Sequence, residues 1–161
     1  MTNDKPAREF KIGKHTVIVD EEMIPILAKF TWCAVKSKST FYASTSVCVA
    51  GKRRSLLMHR LLTGMSSSIV DHKNRNGLDN RLENLRFASK SQNSQNRVRK
   101  NRFGYRGVWK PSHSPHFAFQ IAAGKKKRSK YGFKTAEEAA RAYDEASKEL
   151  HGEFGIRNFK D

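Results

Sequence analysis

The sequence predicts an α+β protein with two parts, and three observations support this fold class. Short segments in which apolar and polar residues alternate lie between residues 8 and 58, as in small β hairpins. Residues 69–97 have the pattern of a strand, a loop, a second strand and a helix. Residues 103–161 have the pattern of three strands and a long helix, which indicates a three-stranded antiparallel sheet packed on one helix. A chain of 161 residues suffices for two small domains.

The N-terminal segment predicts two hairpins with a short helix between them. Residues 8–20 alternate on both sides of Gly13-Lys14, which is typical of a hairpin turn. Residues 41–49 and 55–58 flank a second turn at residues 50–52, and we expect its loop to present basic side chains that contact phosphate or are simply solvated. These basic side chains are Lys52, Arg53 and Arg54. The short helix is predicted from Met23, Ile24, Ile26, Leu27 and Phe30, with Pro25 near its start, where proline is tolerated.

The positive charge of the chain is large and is spread along its length. The sequence has 32 Lys and Arg against 15 Asp and Glu, which gives a net charge of +17. Residues 1–98 hold 17 basic and 8 acidic side chains, and residues 99–161 hold 15 and 7. Because a basic tail would load only one end, we expect two folded surfaces that each meet a polyanion such as DNA or RNA. Charge alone also fits a basic protein without a specific nucleic-acid partner.

Cysteine content and the N-terminal composition predict a protein of a reducing compartment. The two cysteines, Cys33 and Cys48, form neither a CxxC pair nor a zinc-finger pattern with histidine, so neither a disulfide scaffold nor a structural zinc site is supported. The N-terminus is polar, and no apolar run has the length of a membrane span or a signal peptide core. We therefore expect a soluble cytoplasmic protein with no membrane partner.

Residues 69–97 differ in character from the rest of the chain, because eight amide side chains lie there among basic residues. Ile69 and Val70 predict a short strand that leads into Asp71 and His72, and residues 85–88 predict the second strand. A capping box, Ser89-x-x-Gln92, predicts the start of the helix. The spacing of three and four residues then places three polar side chains on one face of that helix. These are Asn93, Asn96 and Arg97.

Three of these side chains suit the hydrolysis of a phosphodiester. That reaction needs an activated water, and one hard divalent ion can stabilise the charge on the phosphate and on the departing oxygen. Asp71 and Asn93 offer oxygen donors suited to Mg²⁺ or Mn²⁺. His72 titrates near neutrality and can take the proton from water. Because it follows Asp71 on a strand, we expect its side chain to point to the opposite face.

The segment DHKNRNGLDNRLENLRFASKSQNSQN, residues 71–96, resembles the core of HNH endonucleases of the phage and intron homing type. The resemblance implies a ββα-metal fold around one ion, preceded here by the small β hairpins. It implies His72 as general base, Asp71 and Asn93 as metal ligands, and Asn84 as a catalytic asparagine that braces the loop and orients His72. The last motif position is Asn rather than His, which favours an oxygen-ligated Mg²⁺ or Mn²⁺ site over a zinc site.

Further polar residues around the motif have two interpretations each. The preceding MHRLLTG resembles the lead-in of these nucleases, but His59 is more simply explained by packing within the domain. Asp79 is a conceivable extra ligand, yet capping of its own turn explains it equally well, so we leave it out of the site. Several arginines and one asparagine are candidate contacts to DNA, although each arginine is also explained as a solvated charge. The candidate DNA contacts of this part are Arg60, Arg75, Arg81, Asn96 and Arg97, and Arg86 is a further possible phosphate clamp.

The C-terminal part resembles the apetala/ethylene-response-factor DNA-binding domain over nearly its whole length, from YRGVWK through the helix TAEEAARAYDEASKELHGE. The resemblance implies a sheet that enters the major groove of DNA. We expect domains at residues 1–98 and 103–161, joined by a linker at residues 99–102. The expected DNA contacts are Arg106, Trp109, Lys110, Gln120, Lys127, Arg128 and Lys130, while Tyr105, Phe117, Phe119 and Tyr143 suit the core between sheet and helix.

The leading hypothesis is a metal-dependent endonuclease that acts on double-stranded DNA, with one part that cuts and one that adds affinity. It would act in the host cytoplasm if a phage encodes it. The alternative is a non-catalytic DNA-binding or transcription-regulator-like protein that keeps a degenerate nuclease fold, and an RNA-binding regulator is supported by charge alone. One site per chain predicts nicking by a monomer, or double-strand cutting by a dimer or by two successive events. No protein partner is implied.

Overall fold

The computed structural model describes residues 6–37, 40–97 and 101–159. The chain divides into two compact units, Met1–Ala88 and Ser89–Asp161. Nowhere in the described ranges does a helix have both the length and the apolar composition needed to cross a membrane. The predicted linker, residues 99–102, lies partly outside the described residues, and the predicted domain limits stay a prediction.

The first hairpin forms as the alternation predicts. Strand β1 (Ala7–Ile12) pairs antiparallel with strand β2 (His15–Asp20), and Gly13 turns the chain between them with a φ of 60°. A 3-10 turn at Glu21–Met23 leads into the short helix α1 (Ile24–Leu27), whose first turn holds Pro25. The helix is one turn long, with Ala28 as its C-cap.

The second sheet has three strands, of which the sequence predicted two. Strands β3 (Cys33–Ser37), β4 (Thr40–Val49) and β5 (Lys52–Leu57) pair antiparallel in that order. The prediction that Lys52, Arg53 and Arg54 belong to a loop is wrong, since all three lie in β5 and pair with β4. The expected strand at 55–58 ends at Leu57, where helix α2 (Met58–Leu62) begins.

One apolar core joins these elements to the loop that follows. Val17 and Val19 of β2 are fully buried, and they pack with Ala43 of β4, Met58 of α2 and Leu78 of the loop. Burial of a valine side chain contributes about 1.5–3 kcal/mol, so the hairpin is a structural part of this unit. The segments before residue 69 therefore support the segment that carries the candidate chemistry.

The strand, loop and strand pattern of residues 69–88 is confirmed. Strand β6 (Ile69–His72) pairs antiparallel with strand β7 (Leu85–Ala88), and a 3-10 turn at Leu82–Asn84 precedes β7. Helix α3 (Lys90–Gln95) follows in the second unit, with both hydrogen bonds of the predicted Ser89 capping box present. The helix ends earlier than expected, because Asn96 is its C-cap and Arg97 lies beyond it.

The C-terminal part has the predicted three strands and one helix. Strands β8 (Val108–Trp109), β9 (Phe117–Ala123) and β10 (Lys126–Phe133) pair antiparallel, with β9 in the centre. Helix α4 (Ala136–His151) packs on one face of this sheet. Its N-terminus has one of the two hydrogen bonds of a capping box. The Thr135 hydroxyl accepts from the Glu138 amide, while the Glu138 carboxylate accepts from the Lys134 amide instead of the Thr135 amide.

The core of the sheet and helix depends on small residues that allow close approach. Ala139 and Ala140 of α4 are fully buried against Val108, while Phe119 and Tyr143 pack a few residues away. These contacts bear out the expectation that the aromatic residues of this part form its core. Tyr105 and Phe117 are partly buried beside the same cluster.

Gly107 is the tightest point of this packing, and its replacement tests the close approach. Its φ is +71°, and an added Cβ would lie 2.2 Å from the Tyr143 ring and 2.8 Å from the Gln120 carbonyl oxygen. We expect Gly107→Ala to lower the free energy of unfolding of this unit by about 3 kcal/mol or more, since strain and a steric clash add.

The matched control is Gly104→Ala. Gly104 has a similar φ of +80° but open space around it, so only the left-handed backbone cost of about 1–2 kcal/mol applies. Thermal unfolding of both variants measures the difference, and equal losses would contradict the packing shown by Tyr143.

Candidate active site

The two strands β6 and β7 place the motif side chains on opposite faces, as predicted for neighbours on a strand. Asp71 lies directly across from Arg86 in the register of the two strands. The Arg86 guanidinium donates from Nε at 3.0 Å and from Nη2 at 2.9 Å to Oδ2 of Asp71. Both side chains are buried, at 8% and 9% exposure, so the carboxylate is held by a desolvated ion pair.

His72 lies among aromatic and amide side chains that the sequence did not associate with it. The centre of its ring is 5.0 Å from the centre of the His59 ring, in an edge-on contact, and 5.6 Å from the centre of the Tyr42 ring. Burial lowers the pKa of His72 from its ordinary value of 6.5, and the Asn80 amide and the Asp71 carboxylate offset part of this shift. The imidazole is therefore neutral at neutral pH and can accept a proton.

His59 supports this cluster from helix α2. Its ring meets Tyr42 edge-on with the ring centres 5.5 Å apart, and its Nδ1 is buried with no hydrogen-bond partner among the described residues. Burial, His72 and Arg60 together lower the pKa of His59 to about 4. This geometry is consistent with a packing role for His59, whose ring packs against the rings of Tyr42 and His72.

Asn84 braces the loop between β6 and β7 with both ends of its amide. Its Oδ1 accepts from the Asn74 backbone at 3.0 Å, and its Nδ2 donates to Asn74 Oδ1 at 3.0 Å and to the Asp79 carbonyl at 2.7 Å. These bonds agree with the bracing role that the resemblance implied. The side-chain amide beside His72 is that of Asn80. Asn84 therefore acts on His72 only indirectly, by holding the loop that carries Asn80.

Asp79 is used inside the loop. Its carboxylate is 2% exposed and accepts from Asn74 Nδ2 at 2.7 Å and from Arg81 Nε and Nη2 at 2.9 and 2.8 Å. The pairing with Arg81 lowers the pKa of Asp79 despite its burial. The local capping interpretation of Asp79 thus accounts for all of these contacts, and Arg81 is engaged with it.

The loop is also attached to the first hairpin. The backbone N–H of Ile18 donates to the Leu78 carbonyl at 2.9 Å, and the backbone N–H of Asn80 donates to the Ile18 carbonyl at 2.7 Å. The Asp20 carboxylate accepts from the Leu82 amide at 2.8 Å. Strand β2 therefore holds the segment that places Asn80 beside His72.

The two oxygen donors proposed for a metal belong to different compact units. Asp71 lies in the first unit, and Asn93 is half-buried in helix α3 of the second unit. Within the described ranges, no group of three or more His, Cys, Asp or Glu side chains is arranged to hold a metal ion. A set of one carboxylate and one amide fits Mg²⁺ or Mn²⁺, since these ions keep several water and phosphate ligands.

The predicted DNA contacts of the motif region have different surroundings. Arg75 is exposed in the loop with a φ of 66°. The Arg60 guanidinium donates to the Ser66 carbonyl at 2.7 Å. Asn96 is buried at the end of helix α3, and Arg97 is exposed. Of these side chains, Arg75 and Arg97 are the most open to a ligand.

The strand register sorts the predicted contacts of the second unit onto two faces. Trp109 and Tyr131 lie on either side of Ala118 and their rings are 5.5 Å apart, on the face that also holds Gln120 and Lys127. We call this the outer face of the sheet, defined by Trp109, Gln120, Lys127, Ser129 and Tyr131.

Two of the predicted basic contacts lie on the other face, toward helix α4. Arg128 is paired with Ile121, and its guanidinium forms an ion pair with Glu149 of the helix. Lys130 is paired with Phe119, and its ammonium lies over the Phe133 ring. These two side chains therefore belong to the side of the sheet that packs on the helix.

The two remaining predicted contacts are engaged within this unit. The Arg106 guanidinium donates to the carbonyls of Gln95 and Arg97, which ties the end of helix α3 to the sheet. The Lys110 ammonium lies 5.1 Å from the centre of the Phe117 ring. Arg106 thus explains why helix α3 belongs to the second compact unit.

Tyr42, Asn80 and Tyr131 are the side chains of interest that the sequence did not single out for a site. Tyr42 precedes the motif by about thirty residues and has no local signal. Asn80 lies in a loop rich in amides, and this density of amides is the sequence signal that could have pointed to it. Tyr131 follows the strand alternation of Lys127 and Ser129, which places it on the outer face.

The low pKa of His59 predicts a loss of stability in acid. Its pKa is about 4 in the folded protein and 6.5 when unfolded, so the unfolded state binds the proton more readily. The stabilisation is complete above pH 6.5 and is lost as the pH falls toward 4, by up to roughly 3 kcal/mol. Urea unfolding at neutral pH and near pH 4 measures this change.

His59→Phe keeps an aromatic ring but removes the titration, so we expect a smaller acid loss than in the original protein. The same substitution at the exposed His116 serves as the control and leaves the acid loss unchanged. An unchanged acid loss in His59→Phe would contradict the assignment.

Comparisons with known proteins give one match. No curated protein and no solved structure matches the chain. Residues 66–95 match the HNH endonuclease family, a segment that includes Asp71, His72, Asn84 and Asn93 but is a minor part of the chain. This part of the protein is thus similar to HNH endonucleases, and the similarity supports a nuclease as its function.

Proposed function

We propose that this protein is a metal-dependent, homing-type HNH endonuclease that hydrolyses phosphodiester bonds of double-stranded DNA. One observation carries the proposal: within the segment similar to HNH endonucleases, a buried neutral histidine lies next to a buried aspartate on one strand. Asn84 holds the loop that follows the pair through hydrogen bonds to the Asn74 N–H and the Asp79 carbonyl.

His72 acts as the general base. Because burial lowers its pKa below 6.5, the ring is unprotonated at neutral pH and one of its nitrogens can take a proton from the attacking water. Asn80 and His59 lie beside the ring from a loop and a helix of the same unit. Asn84 acts at one remove by shaping the loop that holds Asn80.

Asp71 and Asn93 are the proposed ligands of Mg²⁺ or Mn²⁺. Such an ion supplies charge stabilisation at the phosphate and at the departing oxygen. Arg86 holds one oxygen of the Asp71 carboxylate, Oδ2, through two hydrogen bonds. The assignment of Asn93 rests on its oxygen chemistry and on the family match, which extends through residue 95.

The C-terminal sheet is proposed to bind DNA through its outer face, in the manner of the apetala/ethylene-response-factor domain that it resembles. Trp109 and Tyr131 supply aromatic surface, Gln120 supplies a hydrogen-bonding amide, and Lys127 supplies charge for phosphate. The further proposed contacts are Arg60, Arg75, Arg81, Asn96, Arg97, Arg106, Lys110, Arg128 and Lys130, of which the last two lie on the helix side and are expected to contribute less.

Incubation with supercoiled DNA tests the enzyme. We expect nicking that requires Mg²⁺ or Mn²⁺, stops with chelator, and falls at least about a hundredfold in His72→Ala, since general base catalysis contributes about that much or more. DNA affinity of His72→Ala should be unchanged in a gel-shift assay. His116→Ala, at an exposed histidine outside the site, is the matched control and should cut normally.

Tight DNA binding without cutting under any divalent ion would contradict the enzyme. That result would favour the alternative, a non-catalytic DNA-binding or transcription-regulator-like protein with a degenerate nuclease fold. Cutting that survives His72→Ala would contradict the role of this residue while leaving the enzyme in place.

The outer face is tested by the salt dependence of DNA binding. Lys127→Ala should weaken binding and reduce the slope of log affinity against log salt by about 1, the effect of one lost phosphate contact. Trp109→Ala should weaken binding without changing the slope. Lys148→Ala on helix α4, a lysine paired with Glu145, is the control. Equal effects of Lys127→Ala and Lys148→Ala would contradict the assignment of the outer face.

A further inference from the structure

We propose that Arg86 is a positioning residue for Asp71 that also keeps metal binding weak in the free protein, so that the ion is held firmly only when DNA is present. This inference rests on the proposed role of Asp71 as a metal ligand. The observation behind it is the buried Arg86–Asp71 ion pair, which lowers the affinity of Asp71 for a cation.

The geometry of the pair fixes the carboxylate. Nε and Nη2 of Arg86 both donate to Oδ2 of Asp71, at 3.0 and 2.9 Å, so the guanidinium anchors this oxygen of the carboxylate. The two residues face each other across β6 and β7, and the paired strands hold their backbones in register. The orientation of Asp71 thus exists before any ion binds.

The electrostatics of the pair oppose a cation. The side chains of Arg86 and Asp71 are 8% and 9% exposed, so solvent screens their charges weakly. A divalent ion bound to Asp71 meets a carboxylate whose charge is already balanced and lies close to a buried guanidinium. Its affinity is therefore lower than the affinity of the same carboxylate with a neutral hydrogen-bond donor.

DNA removes this opposition. A phosphate group brings negative charge and further oxygen ligands, which offset the guanidinium and complete the coordination of a hard ion. Metal and DNA then bind with positive coupling, and the coupling is equal in both directions because it is a difference of free energies.

Stability alone gives little reason for this pair. A buried ion pair costs desolvation, and replacing such a pair by apolar residues is often neutral or stabilising. An arginine at this position is explained by the lower metal affinity that its charge gives Asp71.

Binding of Mn²⁺ to the full-length protein tests the proposal, with free Mn²⁺ followed by electron paramagnetic resonance. Arg86→Gln keeps a side-chain donor for Asp71 but removes the charge, and we expect it to bind Mn²⁺ about tenfold or more tightly than the original protein without DNA. Arg86→Lys keeps the charge and should bind weakly. Arg53→Gln, at an exposed arginine of β5, is the matched control for charge loss and should leave the affinity unchanged.

The same measurement with DNA tests the coupling. In a His72→Ala background, which keeps the DNA intact, a mixed-sequence duplex should raise the Mn²⁺ affinity of the protein after subtraction of binding to DNA alone. The rise should be larger with Arg86 than with Arg86→Gln, and Asp71→Asn should abolish it. Circular dichroism checks that each variant is folded.

Two results would overturn the inference. One is an Arg86→Gln protein that is folded and binds Mn²⁺ no more tightly than the original. The other, which needs no Arg86 variant, is a Mn²⁺ affinity that DNA does not change. If the original protein still nicks DNA with Mn²⁺, only this inference fails; if it neither nicks DNA nor binds Mn²⁺ with DNA present, the proposed function fails as well.

Discussion

The loop between β6 and β7 is the constraint on which the candidate site depends. It has few apolar side chains, so it cannot be held by a core of its own. Instead the Asn84 amide bonds both Asn74 and the Asp79 carbonyl, and β2 pairs with the loop at Leu78 and Asn80. These bonds place Asn80 beside His72 and give a polar segment a single conformation.

Burial gives the site its chemical properties. His72 and His59 pack against each other and against Tyr42 beside the apolar core, and this burial disfavours their charged forms. Asp71, on the other face of the strand, is paired with Arg86. One strand thus presents a buried imidazole on one face and a buried ion pair on the other.

The second unit shows how a small basic domain divides its charge. Because side chains alternate along β10, Arg128 and Lys130 lie on the side of helix α4 and Lys127 lies on the outer face. Arg128 pairs with Glu149 of the helix, and Lys130 lies over the ring of Phe133. Arg106 is used to hold helix α3 through the carbonyls at its end. The number of basic residues in this unit therefore exceeds the number that lie on the outer face.

The sequence by itself predicted the α+β class of the fold and the segment that is similar to HNH endonucleases. Alternation located the first hairpin and the strands on either side of the loop, and the Ser89 capping box located the start of helix α3. These features depend on residues close together in the chain, and local rules suffice for them. The strand at Cys33–Ser37 and the helix at Met58–Leu62 lack a clear period and were missed.

Only the tertiary structure decided which side chains surround the motif residues. Tyr42, His59 and Asn80 meet at His72 from a strand, a helix and a loop that are far apart in the sequence. Arg86 faces Asp71 because of the register of two strands, which one residue of slip would reverse. Contacts of this kind result from packing between distant segments, and no local pattern of residues encodes them.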